Sequence, residues 1–131
     1  MVRDCGFLES DGYQAMRAWI AEGAVPSAIF AANDPSAIGA IGAIEEAGMR
    51  VPEDVAVVGA GDIHYGDRLS VPLTTVTWDK TRMGQQAAHL LLNMLGREAD
   101  AALNGKKERV ICEPELVARK SCGVKQTLCT R

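Results

Sequence analysis

The sequence predicts an α/β domain built on a mostly parallel sheet, and two patterns support this. Between about residues 10 and 95, segments with helical periodicity alternate with short apolar segments of strand length. The strand-like segments are apolar at consecutive positions, which is typical of parallel strands covered on both faces. With 131 residues, 47% of them apolar, the chain is long enough for one domain with a core and too short for two.

The first predicted helix covers residues 11–22, because apolar side chains recur there at helical spacing. Gly23 ends it, and Pro26 prevents it from resuming. Residues 27–32 contain the run Ala-Ile-Phe-Ala-Ala, which is too short for a helix and predicts a buried parallel strand. The apolar face of the helix consists of Tyr13, Met16, Trp19 and Ile20.

The second predicted helix runs from Pro35 to Ala47. Asp34 is the expected N-cap, because its carboxylate can accept from the free N–H groups of the first turn. Pro35 fits the next position, where a missing N–H costs nothing. Gly39 and Gly42 would weaken this helix in isolation, so they predict close packing against a neighbouring element.

Two further strands are predicted at residues 55–58 and 73–77, and the segment between them, residues 62–73, is irregular. The first of these strands is apolar on both faces and is expected to be central in the sheet. It leads into Gly-Ala-Gly-Asp, at the carboxyl edge where open α/β sheets bind their ligands.

The C-terminal part of the chain predicts one more helix and two short strands. Asp79 is expected to cap a helix whose apolar face continues to Leu95. Residues 109–112 and 116–119 have the composition of short strands. We therefore expect a domain over residues 1–120 and a disordered tail over residues 121–131.

The charge pattern argues against direct DNA binding by this chain. The net charge is −3, and the densest basic group, Lys106, Lys107 and Arg109, is interrupted by Glu108. A DNA-binding face needs clustered positive charge to displace counterions from phosphates. We interpret this group as a solvated loop or strand edge.

Cysteines, histidines and hydropathy exclude several other classes. The four cysteines form no Cys-x-x-Cys pair or zinc-like spacing, and His64 and His89 lie far apart in sequence. We expect no metal and no cofactor, and reduced thiols in a cytoplasmic protein. No apolar run has the length of a membrane span, and the first residues lack the apolar region of a signal peptide.

Enzyme classes find little support in the motifs. Gly59-Ala-Gly61 ends a strand as a dinucleotide fingerprint would, but His64 occupies the position of the third glycine. A loop with glycine and proline follows in place of a helix. No Gly-x-Ser-x-Gly elbow occurs either. We predict that the chain is not an enzyme, with a nucleotide-dependent enzyme as a remote alternative.

Five segments, in order and at matching spacing, resemble the effector-binding domain of the lac repressor (LacI/GalR) family. Residues 26–41, with Ala-Ile-Phe-Ala-Ala-Asn-Asp, look like its "A-I-F-A-A-N-D" segment, and residues 45–59 are similar to its "E-A-G-L-R-V-P-E-D-V-S-V-V-G". Residues 71–76 resemble "P-P-L-T-T-V". Met83-Gly84 before an Ala/Leu-rich helix, and Glu115-Leu-Val-Ala-Arg119, are similar to the last landmarks.

This resemblance implies a three-layer α/β/α sandwich, namely part of the C-terminal lobe of a periplasmic-binding-protein-like domain. It further implies a sensor of a sugar-like or nucleoside-like effector in a transcriptional regulator. DNA would be bound only by a helix-turn-helix headpiece that lies outside these residues, and two lobes would pair into a dimer. A lobe of a periplasmic sugar-binding protein of a transport system shares this fold and remains the main alternative.

The resemblance also points to ligand-binding residues. Phe7 matches the family's stacking aromatic, and Asn33 matches its asparagine at a strand end. Their other readings are a core phenylalanine and a turn or cap residue. Gly61 stands where the family has a ligand-binding aspartate, which puts a simple hexose in doubt. Asp62, His64 and Tyr65 are the polar groups expected to replace that aspartate, although for His64 the role of a surface loop residue is favoured over ligand binding.

Two residues are expected at a dimer interface. Leu69, and Ile38 on the helix from Pro35 to Ala47, correspond to surfaces through which second lobes of the family pair. The apolar face of the helix after Asp79 would pack on the first lobe in a complete domain. We therefore expect the isolated chain to self-associate.

Overall fold

The computed structural model describes residues 1–96 and 109–124. Its sheet has the order β1-β2-β3-β4, with β1, β2 and β3 parallel and β4 antiparallel to β3. The predicted α/β fold with a mostly parallel sheet is confirmed. In chain order the elements are α1 (Glu9–Ala21), β1 (Ala28–Phe30), α2 (Asp34–Glu46), β2 (Ala56–Ala60), β3 (Thr74–Thr77), α3 (Lys80–Gly96), β4 (Glu115–Val117) and a 3₁₀ helix (Lys120–Cys122).

The chain divides into two compact units. The first comprises Met1–Thr77 and the chain from Glu115 onward, and the second comprises Trp78–Pro114. The first unit contains the whole sheet with α1, α2 and the 3₁₀ helix, and the second contains α3. Every residue predicted to bind a ligand belongs to the first unit.

Helix α1 begins at Glu9, two residues before the predicted start, because the side chain of Asp11 supports the first turn. The carboxylate of Asp11 accepts from the backbone N–H of Leu8 at 3.0 Å. At the other end Gly23 adopts a φ of 67° and its N–H donates to the carbonyl of Ile20. The left-handed glycine therefore ends the helix as the sequence predicted.

Helix α2 packs closely on α1, and its two interior glycines differ in role. A Cβ atom at Gly39 would overlap the backbone carbonyl of Glu9 in α1, so this position admits only glycine. At Gly42 the nearest atom that a Cβ would meet is Cδ2 of Tyr13, 4.0 Å away. The predicted close packing is confirmed at Gly39 and is wrong at Gly42.

The core lies between the two helices and one face of the sheet. Met16, Ile44, Val57 and Leu73 are at most 1% exposed there. In β2 the residues that alternate with Val57 are half-buried, as expected where successive side chains point to opposite faces. On the other face of the sheet, Phe30 is 66% exposed.

The predictions for the C-terminal part require two corrections. Residues 109–112 form no strand, and the strand predicted at 116–119 is β4, which begins one residue earlier and ends at Val117. The expected disordered tail begins too early, because Ser121 is fully buried in the first unit. Its hydroxyl donates to the carbonyl of Val57 at 2.6 Å and accepts from the N–H of Thr74 at 2.8 Å. Residues 125–131 lie outside the described residues.

In the second unit the predicted cap of α3 is confirmed. Oδ1 of Asp79 accepts from the backbone N–H of Arg82 at 2.8 Å. Lys106 and Lys107, the centre of the basic group in the sequence, lie outside the described residues. The exposed apolar side chains near the end of α3 are Leu91, Leu92, Met94 and Leu95, which are 57–73% exposed.

Candidate functional site

The candidate site lies at the carboxyl edge of the parallel strands, where both β1 and β2 run into polar residues. Asn33 follows β1, and a loop of residues 61–66, called here the 61–66 loop, follows β2. Parallel strands bring their carboxyl ends to the same edge of a sheet, so these two segments are neighbours. Asp62, His64 and Tyr65, three of the five predicted ligand residues, belong to the 61–66 loop.

Asn33, and not Asp34, is the N-cap of α2. Its Oδ1 accepts from the backbone N–H of Ser36 at 2.9 Å, and its own backbone is extended, as in N-cap residues generally. The prediction that Asp34 caps this helix is therefore wrong by one residue. Asn33 remains half-buried at the sheet edge.

The second polar atom of Asn33 connects α2 to the segment that precedes α1. Its Nδ2 donates to the backbone carbonyl of Phe7 at 2.8 Å, and the hydroxyl of Ser36 donates to the carbonyl of Gly6 at 3.3 Å. The side chain of Phe7 is not a core residue, since Phe7 is 69% exposed. The structure thus brings Phe7 and Asn33 together and leaves an aromatic ring at the surface.

Asp34 has a different role, which the sequence analysis missed. Only 1% exposed, it accepts from the Thr75 hydroxyl at 2.6 Å through Oδ1 and from the Ile63 N–H at 2.7 Å through Oδ2. Gly59 makes room for it, because a Cβ there would overlap Oδ1. The available signal was the run of hydroxyl side chains in Thr74-Thr75-Val76-Thr77, a strand that has a neighbour on each side in the sheet.

Asp62 forms an ion pair with Arg119, another residue that the sequence analysis did not assign to the site. Oδ1 of Asp62 lies 2.7 Å from Nη2 of Arg119, and the two side chains are 33% and 19% exposed. Nη1 of Arg119 also donates to the carbonyl of Leu73 at 2.8 Å. Arg119 therefore ties the 61–66 loop to the start of β3 and to the chain that follows β4.

His64 and Tyr65 pack against each other at the rim. Their ring centroids are 5.0 Å apart in an edge-to-face arrangement, and His64 is exposed. The hydroxyl of Tyr65 donates to the carboxylate of Glu9 at 3.2 Å. Desolvation of the phenol, and then the charge and hydrogen bond of Glu9, raise the pKa of Tyr65 above its ordinary value.

The residues expected at a dimer interface do not belong to this edge. Ile38 and Leu69 are half-buried and pack against the core from its periphery. Their partly exposed side chains are compatible with a contact to a second molecule, and that contact stays a prediction.

Several other features of the described residues bear on function. No three or more His, Cys, Asp or Glu residues come together there as a metal site would require. Within the same residues, no helix combines the length and apolar character of a membrane span. A cavity of about 410 Å³ in the second unit is lined mainly by apolar side chains of α3 and residues 110–114, and no predicted ligand residue borders it.

Comparisons with known proteins agree with this fold. A family model described as a periplasmic-binding-protein-like domain matches residues 4–122. The HTH-type transcriptional repressor PurR of Pasteurella multocida is 42% identical over 119 residues, which cover 88% of this chain and 34% of that protein. PurR of Haemophilus influenzae is 38% identical over 120 residues, 92% of this chain and 35% of that protein. The chain therefore spans about a third of the length of the curated relatives it matches.

Solved structures give the same result. A lac repressor dimer bound to operator and the anti-inducer ONPF superposes with a TM-score of 0.80 at 32% identity, covering 92% of this chain and 34% of that one. A complex of the transcriptional regulator CelR with cellobiose gives a TM-score of 0.78 at 30% identity, covering 92% and 37% of the two chains.

Proposed function

The chain belongs to the family of periplasmic-binding-protein-like domains, and from that membership we propose that it is part of the C-terminal effector-binding lobe of a LacI-type transcriptional regulator. Its small-molecule effector, sugar-like or nucleoside-like, contacts the carboxyl edge of the sheet. The lobe itself is not an enzyme, and the regulator acts in the cytoplasm and binds DNA through an N-terminal headpiece.

The observation that supports this proposal most directly is the composition of the sheet edge. An exposed aromatic ring at Phe7 lies on the segment held by Asn33, and a loop with a carboxylate, an imidazole and a phenol follows β2. Ring-shaped polar ligands are bound by such a combination, with an aromatic face for the apolar side of the ring and directional polar groups for its hydroxyl or amide groups.

The regulatory effect would come from coupling between two sites. An effector that touches both lobes of a complete domain favours one relative orientation of the lobes, and this orientation changes how a dimer presents its headpieces to DNA. Because this chain supplies one side of the cleft only, we expect it to bind effectors weakly and to show no sequence-specific DNA affinity at physiological salt.

The main alternative is a sugar-binding component of a transport system, which uses the same fold. The repressor assignment is favoured by the relatives, since two HTH-type transcriptional repressors match 88% and 92% of this chain. The reading frame upstream of these residues discriminates between the two. A helix-turn-helix followed by a hinge supports the repressor, whereas a signal peptide supports the transport protein.

A titration of the ¹⁵N-labelled chain with a panel of sugars and nucleosides, followed by NMR, tests effector binding. We expect at least one compound to shift the amide signals of Asn33 and of the 61–66 loop. Phe7→Ala should weaken that binding by about threefold to tenfold, the usual worth of an aromatic contact. If no compound in the panel perturbs this edge at millimolar concentration, effector binding by this lobe is contradicted.

Phe30→Ala is the matched control for Phe7→Ala. The two phenylalanines are 66% and 69% exposed, so truncation costs each of them similarly little stability. Phe30 lies on the face of β1 away from the core, and we expect its removal to leave the affinity unchanged. Equal losses for both variants would show that the effect of Phe7→Ala does not come from the site.

We also propose that the chain self-associates, because an apolar surface near the end of α3 is exposed. Leu92 and Leu95 are 65% and 73% exposed, and extended apolar surfaces of this kind favour association. Size-exclusion chromatography with light scattering measures the mass in solution. A stable monomer at micromolar concentration contradicts this proposal.

A further inference from the structure

The 61–66 loop is held by three consecutive backbone amides. The N–H of Gly61 donates to the carbonyl of Val76 at 2.8 Å, and that of Asp62 donates to the hydroxyl of Thr75 at 3.3 Å. The N–H of Ile63 donates to the carboxylate of Asp34 at 2.7 Å. All three acceptors belong to β3 or to the first residue of α2, so the loop is fixed against the body of the lobe.

These contacts hold a backbone conformation that a free loop would rarely adopt. Gly61 has a φ of 122° and Asp62 a φ of 49°, and a positive φ is costly for a residue with a side chain. The direction in which the Asp62 side chain leaves the backbone depends on this φ. The hydrogen bonds to the amides of Asp62 and Ile63 therefore help to set the direction in which the Asp62 side chain leaves the loop.

Asp34 and Thr75 act as one unit in this arrangement. The Thr75 hydroxyl donates to Oδ1 of Asp34 at 2.6 Å and accepts from the N–H of Asp62, while Oδ2 of Asp34 accepts from the N–H of Ile63. A carboxylate is a stronger acceptor than a carbonyl, and its strength increases where water is excluded. Both Asp34 and Thr75 are almost completely buried.

We propose that Asp34, acting with Thr75, is the positioning residue of the 61–66 loop. It touches no effector, and it sets the backbone of the 61–66 loop so that Asp62, His64 and Tyr65 are presented in one arrangement before ligand arrives. That the 61–66 loop contacts an effector rests on the proposed function. The positioning itself can be tested without any ligand, so the two ideas can fail separately.

Burial explains why the carboxylate serves the loop and not the core. Enclosing a charged group costs free energy that an apolar side chain of the same size would not cost, and only strong hydrogen bonds offset it. Asn33 already caps α2, so the helix does not need the Asp34 side chain. Of the two bonds that remain, the one from the N–H of Ile63 holds the loop directly, and the one from Thr75 orients the hydroxyl that accepts from the N–H of Asp62. A loop ordered in advance also loses less entropy when it binds a ligand.

Hydrogen exchange of the full chain, measured by NMR, tests the proposal. In Asp34→Asn the side chain keeps one oxygen, an amide carbonyl that accepts less strongly than a carboxylate, and its NH₂ group faces either the Thr75 hydroxyl or the N–H of Ile63. We expect the amide of Ile63 to exchange at least about tenfold faster relative to the core amide of Val57, a factor that corresponds to about 1.4 kcal/mol. A merely structural role would accelerate both amides by the same factor, because exchange would then follow global unfolding. The control is Asp54→Asn, which changes an exposed aspartate of the first unit. It should leave the ratio of the Ile63 and Val57 exchange rates unchanged.

Variants of Thr75 keep the test decisive if Asp34→Asn does not fold. Thr75→Val preserves the shape of the side chain and removes the hydroxyl, and it should accelerate exchange at Asp62 and Ile63 relative to Val57. Thr75→Ser retains the hydroxyl and should restore the wild-type ratios. If Thr75→Val leaves the ratios unchanged, or if Thr75→Ser fails to restore them in a folded protein, the positioning role is overturned.

Discussion

Breaking the ion pair between Asp62 and Arg119 should destabilise the first unit, and the structure sets the expected size of the effect. Arg119→Met keeps the aliphatic part of the side chain but removes the bond to Asp62 and the donor of the Leu73 carbonyl. Leu73 is fully buried, so its carbonyl loses a partner that water replaces poorly. The loss of a charge-assisted hydrogen bond and of an ion pair together costs about 2–4 kcal/mol.

The pairwise part of this loss is isolated by a double-mutant cycle. Asp62→Asn is the suitable partner variant, since asparagine tolerates the positive φ at this position. The side chains are 33% and 19% exposed, which places the pair between exposed pairs, worth up to about 1 kcal/mol, and buried pairs, whose disruption costs about 3–5 kcal/mol. We expect a coupling of about 1–2 kcal/mol.

Urea denaturation followed by far-UV circular dichroism gives the free energies of unfolding, provided that the denaturant slope stays constant across the cycle. The matched control is the same cycle on Arg50 and Asp54, whose side chains are 70% and 38% exposed at a distance of 3.1 Å. Solvent screens that pair more, so its coupling should be smaller. A coupling for Asp62 and Arg119 below about 0.5 kcal/mol, the range in which independent sites are additive, would refute the reasoning.

Two further predictions concern helix packing and titration. Gly39→Ala should destabilise the protein by about 1–3 kcal/mol because its Cβ overlaps Glu9, whereas Gly42→Ala should stabilise it by about 0.5–1 kcal/mol because it only improves helix propensity. Thermal unfolding that gave both variants the same sign would contradict this. Tyr65 should titrate above the ordinary phenol pKa of 10.0, and Glu9→Gln should lower its pKa toward that value. Since folding raises this pKa, the associated stability is present at lower pH and is lost as the pH rises through the folded value. If NMR titration of the Tyr65 ring gave a pKa at or below 10.0, the expected rise in this pKa would be contradicted.

The sequence predicted the helices and the parallel strands well because the signals for them are local. Helical periodicity placed α1 and α2 within two residues, and the cap at Asp79 placed the start of α3. The strand predicted at residues 109–112 was wrong, since a short apolar run does not determine whether a partner strand is available. The end of the ordered chain was also placed too early, because the burial of Ser121 depends on β2 and β3.

The candidate site divides in the same way. The sequence by itself determined which edge of the sheet carries polar residues and which of them lie on the 61–66 loop. Strand ends and turns depend on residues that are adjacent in the sequence, so local patterns are enough to place them. Only the tertiary structure decided that Asn33 caps α2 while Asp34 turns to the sheet, and that Arg119 holds Asp62. Asn33 and Asp34 can each cap a helix. Which of them caps α2 depends on Thr75, which binds Asp34 and lies 41 positions from it in the sequence. Likewise Asp62 and Arg119 are 57 positions apart, and only the pairing of β3 with β4 brings them within 2.7 Å.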